Sequence, residues 1–532
     1  MSSRDFSIDS DAAAPRRLPK EKFITAKRNW DSAAIIQLIL LGLVISLGIG
    51  LRVWGLNRVG YNTDEAVYSG QAAAIAGDPS LKEIFPIFRA HPLLFQFVLA
   101  LEFRFGVSDL GGRLVAVAIG LATVYLVYCL ANLLYGQKAG LLAALLLALM
   151  PYHVVVTRQV LLDGPLVFCT TLTLYLLARF ASTERSAWLY ATGVGMGLTV
   201  LAKETGIILM GSIYAFLALS REIHVRIRDI VLATIFTALL IAPFPLSVLL
   251  AGGTKSGKQY LVWQLFRRPN HTWDFYLTTV PEAIGLLVIV VALVGLWLLR
   301  DQKTWRERLL ICWILVPIAF FQLWPTKGFQ YLLPIAPPIA VLASRALVHW
   351  PTGEDSRFQN RRRNVASARV LATGIVVASL LIPTWIIIQP STSGTFLAGT
   401  GGVPGGREAG LWVQENLPEG AILLTIGPSM ANILKFYGHH KVYGLSVSPN
   451  PLHRNPSYEP INNPDLQIRN SDLQYLVWDS FSAERSSFFS ESLHRFVKRY
   501  HGRIIHTEFV TVRRADGTTV AKPVIVIYEV HP

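Results

Sequence analysis

Gly60-Tyr61-Asn62-Thr63-Asp64-Glu65-Ala66-Val67-Tyr68 is the stretch on which the reading of this chain turns. It follows directly on the first long apolar run, residues 34–54, so two adjacent carboxylates stand where a membrane span should end. Ionisable groups at a membrane boundary are costly to hold there and mark a functional site by default. The plainer alternative is that Asp64 and Glu65 only start a surface helix, because acids favour a first helical turn.

The surrounding composition supports a membrane setting. Of 532 residues, 52% are hydrophobic and only 16% charged, and the mean hydropathy is +0.43. Soluble chains carry about a quarter charged residues. Many runs here approach the roughly 20 apolar residues that cross a bilayer. The expectation is a mainly α, polytopic membrane protein. The net charge of +15 fits basic cytoplasmic loops and does not require nucleic acid. Cys129, Cys169 and Cys312 lie within apolar runs, with no metal-ligand spacing and no disulfide expected. Residues 1–30 are polar and basic and read as a disordered cytoplasmic tail before an uncleaved first anchor.

Orientation follows from the basic residues. The tail holds Arg16, Arg17, Lys20, Lys22, Lys27 and Arg28, which predicts a cytoplasmic N-terminus and an outward-facing Asp64–Glu65 pair. Residues 55–111 form a long outer catalytic loop. Within it, 92–105 is apolar but too short to span easily and is expected at the interface. Further spans are expected at 113–135, 139–157, 164–181, 187–202, 205–220, 229–250, 280–299, 309–324, 329–348 and 368–389. That makes about eleven within 31–389. This alternation leaves nearly every basic cluster on the cytoplasmic side; counting 92–105 as a span would reverse them. The same alternation gathers Asp163, Lys203, Glu204, Arg267, Arg268, Lys327 and Tyr331 on the outer face. Residues 390–406 are rich in Gly, Ser and Thr and read as a linker. Beyond it, 407–532 reads as a small extracytoplasmic α/β domain. A helix is expected at 407–416 and strands at 421–426, 473–478, 502–509 and 524–529.

Asp64, Glu65 and Asp163 come from two outer loops and could meet in one cleft. A positioned carboxylate can take a proton from an attacking hydroxyl or amine. Paired acids could instead hold a divalent cation, with Asp64 and Asp163 as its oxygen ligands. The cations suit a phosphate, Arg as a bidentate fork and Lys as a point charge. Base and clamp together suit group transfer from a lipid-linked phosphate, the clamp stabilising charge on the leaving phosphate. Each feature has a structural alternative. Asp163 before Gly164-Pro165 could cap a span, Lys203 and Glu204 could neutralise each other, and Arg267 and Arg268 could anchor at head groups.

Several short signatures occur in a fixed order: Asp64-Glu65, His91-Pro92-Leu93-Leu94, Gly112-Arg113-Leu114, Arg158 through Asp163-Gly164-Pro165-Leu166, Ala202-Lys203-Glu204, and Lys327-Gly328-Phe329-Gln330-Tyr331-Leu332-Leu333-Pro334. Over about residues 34–350 they resemble the GT-C class of polyprenyl-phosphate-sugar-dependent membrane glycosyltransferases. That class includes protein O-mannosyltransferases and the aminoarabinose transferases of lipid A. The resemblance implies Asp64 as catalytic carboxylate, supported by Glu65, with Asp163 placing the acceptor or a metal. It implies donor-phosphate contact by Tyr331. His91 stands where relatives have lysine followed by two prolines. The expected function is inverting transfer of a sugar from a polyprenyl-phosphate donor to a glycan, lipid or protein acceptor outside the plasma membrane. His91, Lys203, Arg267, Arg268, Lys327 and Tyr331 are the candidate phosphate-binding residues. A lipid-linked sugar transporter or a non-enzymatic scaffold are the rival readings.

Overall fold

The computed structural model describes residues 32–85, 91–250, 269–300, 304–349, 359–389, 402–450, 453–454, 458–513 and 518–532. Arg267 and Arg268 lie outside the described residues, as does the 1–30 tail. Among the described residues, six helices are long and apolar enough to cross a membrane: 34–53, 109–135, 163–183, 227–247, 329–348 and 367–387. The chain is a multi-pass membrane protein. The expected single span at 280–299 is instead a bent pair. Phe275–Ile284 and Leu286–Leu298 meet at 95°. The bend falls on Gly285 at φ +99°, a backbone region closed to most side chains.

Helix Leu94–Phe103 has 10 residues, about 15 Å at 1.5 Å per residue, half of a bilayer core. Its packing against helix Thr63–Ala76 fits the expectation that 92–105 does not span.

Helix Thr63–Ala76 starts as the sequence around Asp64 dictates. The Asn62 side chain accepts from the backbone N–H groups of Asp64 and Glu65, and the Glu65 side chain reaches back to Asn62 N–H. That reciprocal cap satisfies two donors a helix start leaves orphaned. Gly77 at φ 107° closes the other end.

The C-terminal part forms one five-stranded sheet: β1 Ile422–Thr425, β2 Lys441–Gly444, β3 Tyr475–Asp479, β4 Arg503–Arg513 and β5 Thr519–Glu529. The order is β2-β1-β3-β5-β4. β1 is parallel to β2 and β3, whereas β5 is antiparallel to both β3 and β4. Four of these strands overlap the expected ones. β2 was not expected, because a four-residue Lys-Val-Tyr-Gly run carries too little alternation to stand out. Alternate residues separate the faces. Leu423, Tyr475 and Val477 share a core with Tyr61, Ala66 and Phe95 of the membrane part. Leu424 and Leu476 face the opposite core with Ile468 and Leu493.

Polar contacts lock the two parts together. Tyr61 N–H donates to the Tyr437 hydroxyl at 2.8 Å, which donates to Asp109 at 2.8 Å. Arg407 pairs with Asp109 at 2.6 Å. A Cβ on Gly60 would stand 2.7 Å from Arg407 Cβ, so the close approach requires glycine there.

Candidate active site

Asp64 and Glu65 are neighbours on one helical turn and therefore point in different directions. Glu65 is fully buried. Its Oε1 accepts from Arg113 Nε at 2.8 Å and Val160 N–H at 3.1 Å. Its Oε2 accepts from Arg113 Nη2 at 2.8 Å and Asn62 N–H at 3.0 Å. Arg113 also donates to the carbonyls of Leu56, Val59 and Gly60. This ion pair ties the 56–62 loop to helix Asp109–Tyr135 and to the turn at Val160. Both Glu65 oxygens are thus engaged within the protein.

Asp64 faces the other way, into a cavity of about 830 Å³. The residue is accessible from the cavity, and among the described residues no side chain hydrogen-bonds to it. Enclosure by the protein raises its pKa above the ordinary carboxylate value, while the charges of Lys203 and His91 pull it down.

Around Asp64 stand two ion pairs, each brought together by chain reversal between spans. Lys203 Nζ donates to Asp163 Oδ1 at 2.8 Å, both nearly buried. Burial works against the Lys203 charge, but Asp163 outweighs it and the pKa is raised. His91 Nδ1 lies 2.9 Å from Glu204 Oε2. Burial again opposes the charge, and Glu204 overcomes it, so the His91 pKa is raised. Lys203 and Glu204 thus do not neutralise each other; each has its own partner. Tyr331 lines the cavity, with Lys203 Nζ 5.5 Å from its ring centroid and Phe321 stacked at 5.1 Å.

Lys327 does not line the cavity. Its ammonium donates to the carbonyls of Gln322 at 2.9 Å and Trp324 at 3.4 Å, beside the rings of Trp273 and Tyr276. Asp163, expected with Asp64 as an oxygen ligand for a divalent cation, is paired with Lys203. No group of three or more His, Cys, Asp or Glu suited to a metal occurs among the described residues.

The cavity also has a wall that the sequence left without a role. Pro428, Ser446, Ser448, His453, Arg454 and Tyr458 of the C-terminal part face it. These residues lie some 360 to 390 positions from Asp64 and follow no hydropathy period. Only the turn chemistry of Gly427-Pro428, ahead of a helix, hinted that a strand ends there.

Comparison with known proteins follows the geometry. The family model of dolichyl-phosphate-mannose-protein mannosyltransferases matches residues 90–247. An undecaprenyl phosphate-alpha-4-amino-4-deoxy-L-arabinose arabinosyl transferase of Pseudomonas fluorescens is 32% identical over 115 residues, 21% of this chain and 19% of that enzyme. Its counterpart in Erwinia tasmaniensis is 27% identical over 313 residues, 54% of this chain and 55% of that enzyme. The match thus spans about half the length of that longer-matching relative and less of the other. The crystal structure of ArnT from Cupriavidus metallidurans in the apo state superposes with a TM-score of 0.69 at 14% identity, covering 94% of this chain and 98% of that one. Its complex with undecaprenyl phosphate gives 0.66 at 14% identity, with 92% and 97% covered. At that identity the likeness is one of fold. The resemblance to polyprenyl-phosphate-sugar-dependent GT-C glycosyltransferases is borne out.

Proposed function

We propose that this chain is a glycosyltransferase that moves a sugar from a polyprenyl-phosphate carrier to an acceptor outside the membrane. Asp64 is its general base. The observation that carries this reading is a carboxylate with no side-chain hydrogen bond among the described residues, opening onto a large cavity, at one end of a membrane helix bundle. The names of the relatives point to the donor class.

The chemistry runs in one displacement. The acceptor O–H or N–H gives its proton to an Asp64 carboxylate oxygen as the acceptor atom bonds to the anomeric carbon. The bond from that carbon to the phosphate oxygen breaks, and its electron pair leaves with the lipid phosphate. Attack opposite the leaving group inverts the anomeric centre. His91 and Lys203 carry positive charge beside the cavity and oppose the charge that builds on the phosphate. Phe320, Phe321 and Trp324 form an apolar wall suited to the carrier chain. Alignment of donor and acceptor supplies much of the rate. A carrier protein would place its site near the bilayer midplane between repeats, and these residues lie at helix ends instead.

In this reading the shorter apolar helices Gln137–Leu149, Ser186–Ala202 and Glu204–Leu219, with Trp305–Leu323 and the bent pair, complete eleven spans. The N-terminus is cytoplasmic, and 407–532 forms an extracytoplasmic domain joined by a linker at 390–406.

The test is transfer from labelled undecaprenyl-phosphate aminoarabinose and dolichyl-phosphate mannose by wild type and Asp64→Asn. Full activity in the variant sinks the reading.

A further inference from the structure

The C-terminal sheet turns one particular edge toward Asp64. The chain leaves β1 for β2 on one side and returns to β3 on the other. The parallel strands therefore have a switch point between β1 and β3. Open α/β sheets hold ligands outside the carboxyl ends of their strands at such a point. Here Pro428 and Ser446, just past the carboxyl ends of β1 and β2 and so next to that point, line the Asp64 cavity. Helix Pro428–Gly438 starts there with no side-chain cap on its first N–H groups.

Arg454 adds a cation to the same wall. Its Nη1 donates to the carbonyls of Ser448 at 3.4 Å and Pro449 at 3.0 Å, which braces the guanidinium at the cavity rim. Ser446 and Ser448 line the same wall. The facing wall, from the membrane part, carries the rings of Phe320, Phe321 and Trp324, and its cations Lys203 and His91 are each paired with a carboxylate. The two walls thus differ in chemistry, with Asp64 between them.

We propose that the C-terminal wall is the acceptor subsite and that Arg454 is its specificity-determining residue. It selects an acceptor that carries an anionic group, phosphate or carboxylate, near the attacked hydroxyl. Ser446 and Ser448 orient that acceptor's hydroxyls. This rests on the transferase reading above and deepens it.

The experiment uses the full chain in lipid nanodiscs with the two labelled donors named above. Sugar release to water and sugar transfer are followed separately. Three acceptors share one hydroxylated glycolipid scaffold: one phosphorylated, one carboxylated, one neutral. Wild type should prefer an anionic acceptor, and the first two arms say which. Arg454→Ala should lose that preference by roughly 10- to 100-fold through acceptor KM, as expected for a charge-assisted hydrogen bond. Donor KM and sugar release to water should not change. Ser446→Ala should raise acceptor KM less and is the second variant, should Arg454→Ala fail to fold. A wild-type preference for the neutral scaffold, an unchanged preference in Arg454→Ala, or a rise in donor KM overturns the proposal. Intact sugar release with an unchanged preference removes the subsite alone. No release and no transfer by folded wild type removes the transferase reading and the subsite with it.

Discussion

Asp64 and Glu65 sit one residue apart and in opposite worlds. Glu65 is sealed among Arg113 and two backbone N–H groups. Asp64 opens onto a large cavity. The difference teaches how one acidic pair serves two ends. A buried carboxylate with every oxygen engaged holds the loop rigid, and that rigidity aims its unpartnered neighbour. Removing a buried charge's partner is costly because the other charge is stranded. Removing an unpartnered carboxylate from a cavity costs little stability.

The contrast can be broken by substitution. Asp64→Asn should lower transfer by about 10²- to 10⁴-fold, the usual contribution of a positioned base, with an unchanged melting temperature. Equal activity, or a large fall in Tm, would erase the distinction. Glu65→Ala should do the reverse and destabilise the fold by about 3–5 kcal/mol, read as lost folded yield and an early transition in detergent.

Two further changes sharpen the picture around Asp64. Lys203→Met strands Asp163 and should cost roughly 2–3 kcal/mol; the double variant with Asp163→Asn should recover part of that. Lys203 also holds the raised Asp64 pKa down. Its loss should move the acid limb of the pH–rate profile to higher pH, so activity is lost earlier on acidification. A limb that stays or moves down would show that Lys203 does not act on Asp64. The smallest effect belongs to His91→Gln. The pair with Glu204 is partly exposed and contributes less than about 1 kcal/mol. Because the folded His91 pKa is raised, its contribution is present below about pH 6.5, the unfolded value. It fades as pH rises through the folded value. Wild type and variant should therefore converge in Tm at alkaline pH and part at acidic pH.

Much of this was legible in the sequence, and residue by residue the reasons differ. Asn62, Glu65 and Gly77 announce the start and end of a helix because capping is local chemistry. The short run 92–105 reads as non-spanning because counting it as a span would reverse the basic clusters. Asp64, His91, Lys203 and Tyr331 could be gathered on one face by counting spans. Lys327 could not be separated from them that way, because only packing turns its ammonium toward the Gln322 and Trp324 carbonyls. The bend at Gly285 was equally hidden, since glycine permits a positive φ without requiring one.

By itself the sequence determined a membrane bundle, the ends of its helices, and an acidic pair at the close of the first span. Hydropathy and capping act over a few residues, so they can be read along the chain. Tertiary structure alone decided which acid is locked and which is open, that Lys203 belongs to Asp163, and that Ser446 and Arg454 face Asp64. Those contacts join segments from 40 to 390 positions apart. No local preference encodes them, because they exist only once the helices and the sheet have packed.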